Sequence, residues 1–196
     1  MNSEEYEIIM KYKRLIKSDN IEEVKMAFSL IEELSNRKNK FALYELAHLY
    51  KEGKIVEKNL KKACNLFIFS GELGNYKSFY EAGKIFKEIK DYKSAIRFFE
   101  KAKFTPESFL ELAKMAEKGI GMSKSKKLAV SYYIKSSQLG NSEADYYLAY
   151  YYISGKDTKP DFNKGKYYLK RALRKGIKDK YQLILFLKSD YDILLN

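Results

Sequence analysis

The sequence predicts an all-α solenoid of about five antiparallel helix pairs closed by a C-terminal helix. Three observations carry this. First, the chain repeats: moved by 66 residues, Leu46-Ala47 falls on Leu112-Ala113, Gly53 on Gly119, Ala63 on Ala129, and Leu73-Gly74-Asn75 on Leu139-Gly140-Asn141. A further 36 carries Leu112-Ala113 onto Leu148-Ala149 and Gly119 onto Gly155. Second, apolar residues at 42, 43, 46, 47, 49 and 50 trace one helical stripe. Third, Gly53 stands where that stripe ends and supplies the left-handed residue that terminates a helix. One helix pair cannot bury both of its faces, so such units must stack.

The elements follow in order. Residues 1–39 read as a capping helix pair, Ser3–Lys17 and Ile21–Arg37, with Glu4, Glu5 and Glu7 in the first turn, where negative charge is favourable. Four repeats follow at 40–75, 76–105, 106–141 and 142–177. In the first, a helix ending at Glu52 precedes a second at about Asn59–Leu73, with Leu60, Ala63, Leu66, Phe67 and Ser70 on one face. The second repeat is shorter: Gly83 to Ala95 is 12 residues, whereas Ala47 to Ala63 is 16. Asn59, Asp91, Ser125 and Asp161 are placed to cap the four second helices. Ala47, Gly83, Ala113 and Ala149 mark close helix approaches, matched from the second helices by Ala63, Ala95, Ala129 and Gly165. Phe67, Phe99, Tyr133 and Leu169 fill the space beside them. Residues 178–196 read as a C-terminal capping helix. Tyr181–Leu187 is apolar on nearly every side, which suits docking on the solenoid or joining a dimer. All of this is expected to form one solenoid domain, monomeric or dimeric through that last helix.

The recurring residues resemble those of Sel-like repeats, the 36-residue subclass of tetratricopeptide solenoids. The pattern appears as Leu46-Ala47, Tyr50, Gly53, Lys62-Ala63, Phe67 and Gly74-Asn75. It returns as Leu112-Ala113, Gly119-Ile120-Gly121, Ala129, Tyr132-Tyr133 and Gly140-Asn141, and then as Leu148-Ala149, Tyr152, Gly155, Tyr167-Tyr168 and Ala172. The short second repeat looks more like an ordinary tetratricopeptide unit. The resemblance implies a right-handed α-α superhelix that works as a non-enzymatic adaptor, holding a protein or peptide in a concave groove formed by the first helices. Related bacterial proteins include signalling scaffolds, regulators and immunity proteins beside toxin genes. Secreted members staple each repeat with cysteine pairs. Cys64 stands alone here, which fits a reducing compartment.

Composition closes other routes. One histidine and one cysteine build neither a disulfide framework nor a Cys/His zinc site within one chain, and no cofactor or metal is expected. The acidic opening, Met1–Glu7, lacks the pattern of a secretory signal. No stretch approaches the roughly 18 apolar residues of a membrane span, so a cytoplasmic protein is expected. The formal charge is +12, and such a surface suits nucleic acid, anionic membrane or acidic protein. Only five of the 38 basic residues are Arg, the side chain that makes bidentate phosphate contacts. Nucleic acid is therefore the weaker alternative.

In the tetratricopeptide geometry that the resemblance implies, the first helix of each pair lines the groove, and the positions three before its small residue and one, four and five after it face inward. This selects Tyr44, His48, Lys51 and Glu52, then Tyr80, Lys84, Lys87 and Glu88, then Leu110, Lys114, Glu117 and Lys118, then Tyr146, Tyr150, Ile153 and Ser154. Aromatic faces beside ammonium groups suit an extended acidic or amphipathic peptide, although a chain this rich in Lys and Tyr fills exposed positions with both. A basic run, Lys164, Lys166, Lys170, Arg171, Arg174 and Lys175, contains no acid from Phe162 to Ile177. It reads either as a phosphate or acidic-protein patch or as a solvated outer face. His48 lacks the partner a general base needs, and Cys64 beside Ala63 reads as a small buried hydrophobe. Gly119-Ile120-Gly121 lacks the Lys-Ser/Thr of a nucleotide loop. Sequestration of a toxin or effector remains a second reading of the binding role.

Overall fold

The computed structural model describes residues 3–155 and 160–176. Among these the chain forms ten helices and no strand: α1 (Ser3–Leu15), α2 (Ile21–Asn36), α3 (Lys40–Glu52), α4 (Leu60–Glu72), α5 (Tyr76–Glu88), α6 (Tyr92–Lys101), α7 (Pro106–Lys118), α8 (Lys126–Gln138), α9 (Ser142–Ser154) and α10 (Phe162–Arg174). This is the all-α succession of helix pairs that the periodicity predicts. The capping helix and dimer contact expected of 178–196 lie outside the described residues. The chain divides into two compact units, Met1–Phe104 and Thr105–Asn196. Within each, every helix packs on the next in sequence.

The helix ends follow from local chemistry. Side-chain oxygens of Asn59, Asp91, Ser125 and Asp161 accept from the amides of Lys62, Ser94, Leu128 and Lys164, satisfying orphan donors of the first turn as expected. Asn20, Asn39 and Asn141 do the same for first- or second-helix starts. Gly53, Gly119 and Gly155 all take positive φ (+71°, +73° and +57°). A backbone bond closes each return from the glycine to the next cap: Asn59 N–H to Tyr50 O, Ser125 to Ala116, and Asp161 to Tyr152, at 2.8–2.9 Å.

In the first compact unit the core runs from Ile9, Tyr12 and Leu15 through Ala27, Ile31 and Leu34 to Leu46 and Leu49. It continues through Ala47, Ala63, Phe67, Phe79, Ala82, Ile85 and Phe98. The second unit buries Ala113, Ala129, Tyr133, Ala144, Leu148 and Tyr151 together. The buried Ser70 hydroxyl donates to the Lys40 carbonyl (2.6 Å) and Ser136 donates to Pro106 O (2.7 Å). One polar bridge is thus repeated 66 residues apart.

The small-residue positions are close approaches, as expected. A Cβ on Gly83 would lie 2.6 Å from Cδ1 of the fully buried Phe99. Gly83→Ala is therefore expected to destabilise by about 1–3 kcal/mol through overpacking, despite its gain in helix propensity. Urea denaturation measures this, and a stability equal to or above the parent's would contradict the packing account.

Candidate functional site

The side chains selected from α3 and α5 come together in the first compact unit. Tyr44 and His48, one turn apart on α3, meet edge to face at 4.6 Å, and both pack against Phe67 of α4 at 5.6 and 5.0 Å. Burial lowers the His48 pKa, only partly offset by the Glu81 charge, so the ring is held neutral as a packed, half-buried aromatic. Burial, helped by the charges of Glu81 and Glu45, raises the Tyr44 phenol to about 12. On α5, Lys84 lies over the Tyr80 ring at 5.2 Å, and Tyr80 packs on Phe99 at 5.9 Å. Lys87 is half-buried on the next turn.

A residue outside the predicted set organises this face. The Glu81 carboxylate has only 8% of its side-chain surface exposed and accepts from Lys51 Nζ at 2.7 Å and Lys84 Nζ at 3.2 Å. Burial alone would raise its pKa, but the two ammonium groups reverse this and leave it lowered. Lys51 is thereby drawn into an α3–α5 bridge, with 23% of its side chain exposed. Lys84, with 42% of its side chain exposed, is held at a fixed place and still faces water.

In the second compact unit Lys114 of α7 donates to Glu143 of α9 at 2.7 Å and lies 5.7 Å from the Tyr147 ring centroid. Burial opposes its charge, but the Glu143 bond prevails and raises the pKa. Tyr146 and Tyr150 are half-buried and edge-packed on Tyr147 and Tyr151. Leu110 is a correction: it is 5% exposed and packs with Ala113 and Ala116 in the core. The register position that leaves Tyr44 and Tyr80 half exposed buries the shorter leucine. Glu117 accepts from the hydroxyls of Tyr133 (2.9 Å) and Tyr151 (2.7 Å), so it anchors two core phenols.

The basic run of α10 separates into two groups. Arg171 donates to Ser137 O (2.8 Å) and pairs with Asp145 (3.5 Å). Lys175 donates to Gly140 O (3.1 Å) and to Asp145 (3.0 Å), and Asp145 is fully buried. Arg171 and Lys175 are thus tied to Asp145 while 26% and 33% of their side chains remain exposed. Lys164 pairs with its cap Asp161 at 3.0 Å. Lys170 and Arg174 are exposed and Lys166 is half-buried.

The Cys64 thiol is buried, which raises its pKa to about 11 and keeps it protonated. Among the described residues no group of three or more His, Cys, Asp or Glu side chains is placed to hold a metal ion, and no helix is long and apolar enough to cross a membrane.

The family described as Sel1 repeat matches residues 40–75, 72–103, 110–141 and 142–177. No curated protein matches significantly. Among solved structures, a Sel1 repeat protein from Oxalobacter formigenes superposes with a TM-score of 0.75 at 23% identity, over 88% of this chain and 71% of that one. A protective antigen of uropathogenic Escherichia coli strains, described as displaying an SLR fold, gives 0.74 at 19% identity. The match covers 83% of this chain but 36% of that one. An immunity protein from Pseudomonas aeruginosa gives 0.57 at 20% identity, over the whole of this chain and 73% of that one. At these identities the likeness is one of fold. The four matched segments span well over half of the sequence, and the chain belongs to the Sel1 repeat family.

Proposed function

We propose that the protein is a non-catalytic interaction module whose α3–α5 face binds an acidic, amphipathic segment of a partner protein in a reducing compartment. The observation that carries this is the placement of Lys84: anchored by Glu81, stacked over Tyr80, and 42% exposed. An incoming carboxylate meets a cation whose rotamers are already restricted, so less side-chain entropy is lost on binding. The half-exposed Tyr44 and Tyr80 supply apolar contact beside it. Pairing of Arg171 and Lys175 with Asp145 reduces the unpaired charge that phosphate tracking would use, which supports an acidic peptide over nucleic acid. Toxin sequestration is supported by fold likeness alone and is a special case of the same binding role.

Selection of displayed peptides against the whole chain is expected to enrich carboxylates next to an aliphatic or aromatic residue. Lys84→Glu should weaken a selected peptide by about tenfold, whereas Lys170→Glu leaves its affinity unchanged. Unaltered affinity in the Lys84 variant would refute the face assignment.

A further inference from the structure

The first compact unit contains an apolar cavity of about 300 Å³ where the start of α4 faces the end of α5, with Leu60, Cys64, Ile85, Phe86 and Ile89 in its wall. Its origin can be read from the repeat register. One repeat earlier, the positions of Cys64 and Phe86 are held by Phe28 and Tyr50, whose rings pack edge to face at 6.4 Å. At the position of Cys64 in the third repeat stands Val130. The smallest of the three side chains therefore sits at the cavity. The second cause is the shortened turn. After α3, the seven-residue return brings Ile55 and Val56 onto the core cluster that Phe28 and Tyr50 also join. After α5 only Ile89, Lys90 and Asp91 intervene before α6, and Ile89 is 59% exposed. The pocket is half open to solvent with Lys61 and Asn65 also in its wall, and its largely apolar surface suits apolar groups.

We infer that this cavity is a docking site for an aliphatic pair of a partner polypeptide followed by a carboxylate, the pair having the chemistry of Ile55-Val56, which closes the preceding repeat from within. Lys61 is the charged residue of the wall, and it complements the carboxylate. The site is separate in composition from the Tyr44–Tyr80–Lys84 face and goes beyond the binding role assigned to that face.

The test uses the intact chain and a dye-labelled synthetic peptide with the sequence of residues 53–59, read by fluorescence anisotropy. Saturable binding is expected, with loss when the Ile and Val of the peptide are both replaced by Ser. Ile89→Lys, at an exposed position, should weaken binding by about tenfold, and Lys61→Glu by roughly fivefold, with that part of the affinity falling as salt rises. Cys64→Phe, which restores the ring of the preceding repeat, should abolish it. Tyr80→Ala and Lys84→Glu should leave it unchanged, so failure here and failure of the α3–α5 face are read separately. If Cys64→Phe does not fold, Ile89→Lys decides alone. Absence of saturable binding, or equal binding by the Ile89→Lys variant, overturns the inference. So does a concentration-dependent dimer that Ile89→Lys dissolves, since a second copy would then be the occupant.

Discussion

Replacing Arg171 and Lys175 together with methionine is expected to cost about 3–5 kcal/mol of stability, because it strands the Asp145 carboxylate in the core without a cation. Asp145 is fully buried, accepts from the Ser137 hydroxyl, and meets Lys175 at 3.0 Å and Arg171 at 3.5 Å. Either cation alone leaves a partner in place, so each single methionine variant should lose about 1–2 kcal/mol, and the two losses should not add. Neighbouring Lys170, exposed on the same helix, should change stability by less than about 0.5 kcal/mol when replaced. Adding Asp145→Leu to the double variant removes the stranded charge and should recover most of the loss, as apolar replacement of a buried ionic cluster commonly does. Urea unfolding of the four variants reads the cycle. If the double variant is as stable as the parent, Asp145 is not being neutralised by these two residues.

Raising the pH above about 10 is expected to destabilise the protein steeply. Tyr12 and Tyr133 are 3% and 0% exposed and donate to Glu45 (3.4 Å) and Glu117 (2.9 Å). Burial first, then the adjacent carboxylate, pushes both phenols well above the ordinary tyrosine value of 10.0. The folded state thus keeps protons that the unfolded chain releases. Their contribution is fully present below pH 10 and is lost as pH rises toward the folded values, at about 1.4 kcal/mol per pH unit for each phenol. Tyr44 and Cys64, raised to about 12 and about 11, and Tyr147 and Tyr168, also raised, act in the same direction. Urea midpoints measured at rising pH should fall, and Tyr12→Phe with Tyr133→Phe should flatten the fall. Midpoints that stay level as pH rises, or that drop equally in the double variant, would show that these hydroxyls do not titrate with unfolding.

The fold was legible because its determinants are local and recur. Small residues at close approaches, glycines with positive φ, and short oxygen-bearing caps each act within a few residues of their own position. The candidate face was only partly legible, because its organising groups are carboxylates whose partners lie about 30 residues away. Glu81 reaches Lys51 and Glu143 reaches Lys114, and neither pairing has a sequence signature. Treating lysines as free cations consequently overcounted the charge available to a ligand. Asp145 did leave a signal. It stands in the register column of Leu43, Phe79 and Phe109, and a carboxylate in an apolar column needs a cationic partner. Lys38 is a similar case. It takes φ +59° at the place where later repeats have Gly74 and Gly140, so the capping pair ends with a residue for which that conformation is unfavourable.

The ties between helices also bear on how the chain reaches its structure. Tyr12–Glu45, Lys51–Glu81, Ser70–Lys40, Ser136–Pro106, Tyr151–Glu117 and Lys175–Asp145 each join residues 30 to 34 apart. Each closes a loop of about one repeat, and the closure entropy is nearly the same for all of them. The time to form such contacts is therefore set by the length of one repeat and not by the length of the chain. Topologies with such short-range contacts fold quickly and can begin at any well-packed pair.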